Sequence, residues 1–361
     1  MVDRYRRPSR PAVALAAAHA GGLLAGALLD AALGDPRRWH PVAGFGSAAA
    51  RLERRWYAPD RSSGARFVAA AIGVPVAVAA AATLATRRRP WARAGLVALT
   101  TWAVLGGTTL RREAATMAGA LESGHVPAAR ARLPHLCGRD PSTLDEGELA
   151  RATVESVAEN TSDAVVAPLV WGAIAGLPGL VGYRAVNTLD AMVGHRSERY
   201  RDFGTPAARL DDLANLGPSR VTAALTVALA PLAAGSRAEA LRTWLRDGRR
   251  HPSPNAGQCE AAMAGALGVR LGGRNVYHGR VEERPALGDG KPPAVADIRR
   301  AARLSGAVGV AALALAVEHA AAGPWRHALL RRVLLRRVLL QGVLPRRALL
   351  RGVLLRRAAP R

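Results

Sequence analysis

Residues 67–86 read FVAAAIGVPVAVAAAATLAT, a run of 20 residues that contains no charged side chain. Three arginines, Arg87, Arg88 and Arg89, follow this run directly. A helix of about 20 apolar residues is long enough to cross the hydrocarbon core of a bilayer. Cationic side chains are favoured where such a helix reaches the lipid headgroups. The stretch therefore predicts a membrane-spanning helix and sets the class of the protein.

Other apolar stretches extend this prediction along the chain. Residues 12–29, 94–110 and 304–323 are further candidate spans. Residues 164–183 and 221–235 are also uncharged but contain prolines and glycines, which favours re-entrant segments or half-helices that line a protein cavity. The predicted fold is an all-α polytopic membrane protein, with about four to six transmembrane or re-entrant helices joined by polar helical loops.

The composition agrees with a membrane protein. Half of the residues are hydrophobic but only 4% are aromatic, and the formal net charge is +24. Such a charge raises the hypothesis of nucleic-acid binding. The arginines, however, stand at the ends of apolar stretches, and no recognisable nucleic-acid module accompanies them. We expect contact with membrane lipid and no nucleic-acid partner.

Four polar loops, residues 34–66, 111–163, 184–220 and 236–303, hold nearly all of the polar clusters. They can form a single site only if they share one face of the membrane, which requires residues 164–183 and 221–235 to return to the side that they left.

The two cysteines, Cys137 and Cys259, fit no disulfide framework or metal spacing and are interpreted as packing residues. Reduced cysteines suit the cytosol, so we expect a multi-pass protein of the cell membrane with its catalytic loops in the cytoplasm.

The two ends of the chain differ from the rest. An N-terminal basic segment before an apolar run imitates a signal peptide, but no convincing cleavage site follows. Residues 331–355 repeat a basic, leucine-rich pentapeptide, which matches no helical or strand period. Repeat expansion is favoured over a lipid-binding tail because Gly342 and Pro345 break a helix. The predicted domains are residues 1–324, an integral membrane catalytic domain, and residues 325–361, a low-complexity tail.

The strongest polar cluster is RATVESVAENTSD at residues 151–163. On a helix, Glu155 and Glu159 share a face, where like charges repel unless a cation lies between them. Mg²⁺ or an amine would fit there. A solvated helix face paired with arginines such as Arg151 explains the same spacing equally well, and both interpretations stay open.

Two further clusters carry amide, carboxylate and imidazole groups. Asn187 and Asp190 are three residues apart, and Asp211 and Asn215 four apart, so each pair can face one way from a helix. Such pairs suit a polar ligand or a metal, although periodicity alone favours a salt-bridge network with the interleaved arginines. In HPSPNAG, residues 251–257, two prolines stiffen an extended turn. His251 there is either structural or a ligand contact and proton shuttle.

The sequence also lacks the common nucleotide and zinc motifs. It contains no Gly-x-x-x-x-Gly-Lys-[Ser/Thr] loop, no Gly-x-Gly-x-x-Gly after a strand and no zinc spacing of cysteine and histidine. A nucleotide, if bound, is held by other means.

Taken together, these motifs resemble the CobD/CbiB family. The resemblance rests on Leu29 to Pro36 with His40-Pro41, on residues 138–146 and on residues 152–168, 183–215 and 251–273. It extends from about Leu23 to about Ala320. It implies a carbon–nitrogen ligase of the adenosylcobinamide-phosphate synthase type, which joins aminopropanol or its O-phosphate to adenosylcobyric acid at the expense of ATP.

The resemblance also implies ATP and Mg²⁺ as cofactors, a corrinoid and an aminopropanol as substrates, and other enzymes of cobalamin biosynthesis as candidate partners. On this basis the catalytic candidates are Glu155, Glu159 and His251. The candidate metal ligands are Glu155, Glu159 and Asp163. The candidate substrate-binding residues are Arg139, Asp140, Asn160, Asn187, Asp190, Arg201, Asp211, Asp212, Asn215, Ser253 and Asn255, with Arg139 and Arg201 as phosphate contacts.

A non-catalytic membrane scaffold or permease for corrinoids is the main alternative. Its loops would grip the corrinoid without changing it. ATP consumption that depends on aminopropanol would exclude this alternative.

Overall fold

The computed structural model describes residues 9–36, 40–195, 197–277 and 280–323. Helices dominate this part of the chain, which confirms the all-α polytopic prediction. In chain order they are α1 Arg10–Leu33, α2 Pro41–Trp56, α3 Arg61–Ala85, α4 Pro90–Val104, α5 Gly107–Glu122, α6 Val126–Arg132, α7 Glu146–Thr161, α8 Ala167–Leu189, α9 Thr205–Leu229, α10 Arg237–Asp247, α11 Ala256–Leu267 and α12 Val295–Gly323. The predicted tail, residues 325–361, lies outside the described residues.

Among the described residues, five helical stretches are long and apolar enough to cross a membrane. They are Arg10–Leu33, Arg61–Ala85, Glu146–Gly194, Thr205–Ala233 and Val295–Gly323. The predicted span at residues 94–110 is wrong at its end, because α4 stops at Val104 and α5 begins at Gly107. At this break the Gly106 N–H donates to the carbonyl of Ala164 (3.0 Å).

Helices α1 and α4 pack closely along two glycines that lie one turn apart. A Cβ on Gly22 would lie 2.6 Å from the Cβ of Val97, and one on Gly26 would lie 2.5 Å from the Cβ of Thr101. Small residues allow helix backbones to approach closely in membranes. At the end of the contact, Trp102 Nε1 donates to the carbonyl of Gly34 (2.9 Å). The two helices therefore run in the same direction and end together.

The long apolar stretch Glu146–Gly194 reverses direction at Gly176, where φ is 66° and ψ is −144°. A Cβ on Gly172 would lie 2.8 Å from a methyl carbon of Leu180, and a side chain on Gly179 would overlap the carbonyl of Trp171. Residues eight positions apart in an unbroken helix are separated by about 12 Å. The stretch is therefore a helical hairpin, as the re-entrant prediction for residues 164–183 requires.

Contacts among the polar loops place them together at one end of the helix bundle. Arg199 pairs with Glu53 (2.7 Å), and Arg299 pairs with Glu122 (2.6 Å). Asn255 Nδ2 donates to the Asp212 carbonyl (2.8 Å). These three contacts link the first loop to the third, the second to the fourth, and the third to the fourth.

Helix α9 begins and ends close to these loops. Before its first turn, the carbonyl of Phe203 lies against Gly64 at the start of α3. After its last turn, the Ala233 carbonyl accepts from Arg300 Nη2 (2.7 Å) at the start of α12. Both ends of α9 therefore contact residues that adjoin the polar loops, but α9 is one continuous helix from Thr205 to Leu229, and the re-entrant hypothesis for residues 221–235 stays a prediction.

One β-hairpin stands where the sequence predicts only helical loops. Strand β1, Leu271–Tyr277, pairs antiparallel with β2, Arg280–Leu287. Glycines and charged residues dilute the alternation of apolar residues that indicates a strand. The hairpin is anchored near its base, where the Gly272 N–H donates to Glu155 Oε1 (2.8 Å).

We predict that Gly176→Ala destabilises the protein, because a left-handed backbone costs a residue with a Cβ about 1–2 kcal/mol. Thermal unfolding in detergent measures the effect. Gly73→Ala is the control, since a Cβ at Gly73 meets nothing within 4 Å in a regular helix. Equal midpoints for the two variants would contradict the reversal at Gly176.

Candidate active site

An acidic cavity of about 210 Å³ lies where the polar loops meet. Its wall combines the end of α7, both ends of the helical hairpin, the first half of α9 and the start of α11. Among the described residues, its lining side chains include five carboxylates and no arginine or lysine. The lining residues are Glu159, Ser162, Asp163, Asp190, Ala208, Asp211, Asp212, Asn215, Ser219, Ser253, Asn255, Ala256 and Cys259.

The helical hairpin brings the first and second sequence clusters together. Asp163 precedes Gly176 by nearly the same length of chain as Asn187 follows it, so the two side chains reach the same level. The Asn187 amide nitrogen lies 3.4 Å from Asp163 Oδ2 and 3.4 Å from Asp211 Oδ1. This one amide therefore bridges carboxylates that are contributed by two different helices.

Two π-helical turns carry cavity carboxylates. Ser162–Val166 contains Asp163, and Asp190–Gly194 begins with Asp190. A π-turn widens the helix and frees backbone groups, and such turns are frequent at functional sites. They also shift the angular position of each side chain relative to a regular helix. A helical period of 3.6 residues therefore places these aspartates only approximately.

Helix α9 supplies the opposite wall of the cavity. Asn215 Nδ2 donates to Asp211 Oδ2 (3.0 Å), and Tyr183 donates its hydroxyl to Asn215 Oδ1 (2.9 Å). The predicted pair Asp211 and Asn215 is thus oriented by a direct bond across one helical turn. Only Asn215 is fully buried in this pair.

The stiff turn at residues 251–257 closes the third side. Ser253 Oγ accepts from the backbone N–H groups of Asn255 (3.3 Å) and Ala256 (3.1 Å), so it stabilises the start of α11. Asn255 Oδ1 accepts from Ser219 (3.1 Å) and from Arg220 Nη1 (2.8 Å). Ser219 and Arg220 were not identified from the sequence, because no local spacing marks a residue that contacts Asn255.

Glu155 and Glu159 have different environments despite their shared helix face. Glu159 lines the cavity, whereas Glu155 forms a buried ion pair with Arg139. Glu155 Oε1 also accepts the Gly272 N–H and lies 3.4 Å from Arg151 Nη1. Arginines therefore pair with Glu155, as the second interpretation from the sequence holds, but this helix face is buried and not solvated. Arg139, a predicted phosphate contact, is held in the same ion pair.

His251 lies behind the cavity, beside a glutamate to which the sequence assigned no role. His251 Nδ1 accepts the Ser253 N–H (3.0 Å), and its Nε2 lies 3.9 Å from Glu260 Oε1. Burial lowers the pKa of His251, and the positive charge of Arg284 lowers it further. Burial raises the pKa of Glu260 well above its ordinary value, and the charges of Glu155 and Glu159 add to this effect. Both directions favour the uncharged forms.

Five predicted substrate-binding residues do not line the cavity. Arg139 is held in its ion pair, and Asn187 contacts two of the lining carboxylates. The other three are Arg201, Asp140 and Asn160. Arg201 has a side chain that is 80% exposed, with Asp202 as an ion-pair partner at 3.8 Å. Asp140 is exposed and accepts the Ser142 N–H (2.9 Å). Asn160 donates to the carbonyl of Ser156 (2.9 Å).

Cys259 was interpreted from the sequence as a packing residue, but it lines the cavity. Burial raises the pKa of its thiol well above the ordinary value.

The carboxylates are not arranged as a closed metal centre. Among the described residues, no three histidine, cysteine, aspartate or glutamate side chains are grouped closely enough to hold a metal ion. The predicted metal set is likewise divided, since Glu159 and Asp163 line the cavity and Glu155 does not.

Comparisons with known proteins agree on one family. The sequence model of a family described as CobD/Cbib protein matches residues 23–305. A cobalamin biosynthesis protein CobD from Mycobacterium tuberculosis is 53% identical over 296 residues, which cover 82% of this chain and 94% of that protein. Proteins of the same name from Geobacter metallireducens (46%) and Rhodobacter capsulatus (44%) each cover 75% of this chain, and 87% and 88% of their own lengths. No solved structure matches the chain.

We predict that Glu155→Ala lowers stability by about 3–5 kcal/mol, because it leaves the buried Arg139 without the carboxylate that it faces. Unfolding in detergent, followed by circular dichroism, measures the loss. Glu146→Ala removes an exposed glutamate from the first turn of the same helix and serves as the control. A Glu155 variant as stable as this control would show that the ion pair is not structural.

Proposed function

The chain belongs to the CobD/CbiB protein family and has a role in cobalamin biosynthesis, and from this we propose that it is an ATP-dependent ligase. In the proposed reaction, aminopropanol or its O-phosphate forms an amide with adenosylcobyric acid to give adenosylcobinamide or its phosphate. The observation that supports a catalytic site best is the convergence of five carboxylates in one cavity among the polar loops.

The chemistry of the cavity fits Mg²⁺. Carboxylate and amide oxygens are the donors that this hard cation prefers, and it is commonly held by one or two carboxylates together with nucleotide phosphates. Asp163, Asp190 and Asp211 are proposed to supply one or two direct ligands, and nucleotide phosphates and water would complete the coordination, since no three such side chains among the described residues are close enough to hold the ion alone. These aspartates replace the set of Glu155, Glu159 and Asp163 implied by the family resemblance, because the Glu155 carboxylate is engaged by Arg139 and Gly272.

Bound Mg²⁺ would offset the charge of the ATP phosphates within this acidic cavity. Without a cation, phosphates and five carboxylates would repel one another. Arg220 lies at the cavity wall through its bond to Asn255 Oδ1 (2.8 Å). It is a better placed phosphate contact than the exposed Arg201, and the structure gives it a fixed orientation.

Amide formation needs an activated carboxyl group and a neutral amine. In the proposed sequence, a carboxylate oxygen of adenosylcobyric acid attacks the γ-phosphorus of ATP, and ADP leaves. The amine nitrogen then attacks the acyl phosphate, inorganic phosphate leaves, and the amine proton passes to a base. Glu159 and Asp212, the two remaining cavity carboxylates, are proposed to hold the ammonium group and accept its proton.

The sequence predicts that His251 is either structural or a ligand contact and proton shuttle. Its lowered pKa keeps the imidazole uncharged and able to accept a proton. His251 does not line the cavity, whereas Ser253, which donates its N–H to His251 Nδ1, does. We therefore propose that the cavity carboxylates act on the amine directly and that His251 orients Ser253.

We propose that the acidic cavity faces the cytoplasm from the cell membrane, because ATP is supplied there. The polar loops that form it lie together at one end of the bundle, so a single orientation serves all of them. Labelling of single cysteines in the loops tests this. Opposite accessibility of residues 53 and 199, which are in contact in the structure, would contradict it.

Product analysis tests the reaction itself. Purified protein in detergent is supplied with adenosylcobyric acid, Mg²⁺, ATP and aminopropanol with or without its phosphate, and products are identified by mass spectrometry. An amide-linked product together with ADP is expected. Tight corrinoid binding without product, where a related active enzyme gives product, would favour the scaffold or permease.

We predict that Asp190→Asn lowers kcat/KM by roughly 100-fold or more, since it removes a proposed metal ligand from the cavity. The rate should also need more Mg²⁺ to reach half of its maximum. Asp202→Asn is the matched control, because Asp202 pairs with Arg61 on the surface (3.4 Å). The proposed metal site would be wrong if both variants kept wild-type turnover and Mg²⁺ dependence.

A further inference from the structure

A second cavity of about 800 Å³ lies in a groove between α5 and α12. Arginines line one end of it, and small or apolar residues line the other. Helices α5 and α12 run antiparallel here, since Arg299 pairs with Glu122 and the Arg111 side chain lies against Gly306. The groove is separate from the acidic cavity, because Val165 of the helical hairpin packs against Gly309 on the inner side of α12.

Two of the three groove arginines, Arg111 and Arg303, form no ion pair with a carboxylate among the described residues. Arg299 is neutralised by a bidentate pair with Glu122 (2.7 and 2.6 Å). Arg111 donates to the Gly107 carbonyl (3.3 Å) and the Thr108 hydroxyl (3.4 Å), and its charge also acts on the buried Asp30 carboxylate, with which it forms no ion pair within 4 Å. Arg303 is exposed and, among the described residues, makes no hydrogen bond or ion pair. The lining of the groove therefore has a net positive charge, since it contains arginines and no carboxylate.

The apolar half of the groove lies deeper along a candidate membrane span. Helix α12 is part of the span Val295–Gly323, and its Val310 is 70% exposed. Seven residues of helix separate Arg303 from Val310, a distance of about 10 Å. Gly306 lies between them, and its missing side chain leaves room for the Arg111 side chain, since a Cβ there would lie 3.3 Å from Arg111 Cδ. Arg303 directly precedes the uncharged residues 304–317, so the cationic end lies where this uncharged run begins and the apolar end lies within it.

We propose that this groove binds one anionic phospholipid. The phosphate lies between the guanidinium groups of Arg111 and Arg303, and an acyl chain follows the small residues of α12 towards Val310. Basic pockets between helices at a membrane surface bind anionic headgroups in this way. Guanidinium groups suit phosphate because they donate in a planar, paired geometry. The groove offers cationic groups for a phosphate and apolar surface for an acyl chain, and this combination favours a lipid over a soluble anion.

Native mass spectrometry of the full chain in detergent tests the proposal. Phosphatidylglycerol and phosphatidylcholine with the same acyl chains are titrated separately. We expect one phosphatidylglycerol to bind in preference to phosphatidylcholine. Arg111→Gln combined with Arg303→Gln should weaken that binding by roughly tenfold or more. Gly306→Leu, which fills the groove and keeps its charge, should weaken it as well.

The matched control is Arg87→Gln with Arg88→Gln, which removes two exposed arginines from the turn after α3. It should leave binding unchanged. If the double variant aggregates, the single variant Arg303→Gln replaces it in the binding comparison. The Arg303 side chain is exposed, so its loss should leave the fold intact. The proposal fails if both double variants lose affinity equally or if the two lipids bind alike. Displacement by free glycerol phosphate would instead assign the site to a soluble anion.

Discussion

The reversal of the chain at Gly176 determines where the acidic residues lie. Because the backbone there is left-handed, the two limbs of the helical hairpin run back along each other. Asp163 on one limb and Asn187 on the other reach the same level, where the amide bridges to Asp211 of α9. A straight helix of the same residues would separate Asp163 from Asn187 by about 36 Å. The acidic cavity exists only because the chain turns.

The burial of charge then decides which acidic residues stabilise the fold and which are free to bind a ligand. A buried carboxylate that loses its partner is costly, so Glu155 is surrounded by Arg139, Arg151 and the Gly272 N–H. The same contacts anchor the β-hairpin to α7. By comparison, the cavity carboxylates of Asp163 and Asp211 accept from the side-chain amides of Asn187 and Asn215. A bound cation would relieve the repulsion among the cavity carboxylates, and this is the reason for proposing a metal–nucleotide complex there.

The sequence was sufficient for the membrane class and for most spans. Uncharged runs predicted α1, α3 and the apolar part of α12, and proline with glycine predicted a re-entrant segment before Tyr183. It could not show that α4 ends before the Gly106 contact with Ala164, because that contact joins distant parts of the chain. The β-hairpin was missed for a related reason, since its glycines and charges hide the strand pattern.

For the site, local spacing grouped the right clusters but could not assign roles within them. Glu155 and Glu159 look equivalent on a helix, yet partners 16 and 117 residues away engage only Glu155. Asp190 and Asp211 were identified among polar pairs and do line the cavity, whereas Arg201, selected from the same cluster, is on the surface. Arg220 and Ser219 gave no signal, because nothing local marks a residue that contacts Asn255.

The central claim is that the acidic cavity holds a divalent cation, and titration with Mn²⁺ monitored by electron paramagnetic resonance tests it most directly. We expect saturable Mn²⁺ binding that Mg²⁺ reverses. Asp163→Asn should weaken this binding, and the exposed Glu146→Gln should leave it unchanged. Equal Mn²⁺ affinity in wild type and Asp163→Asn, with both proteins folded, would contradict the account.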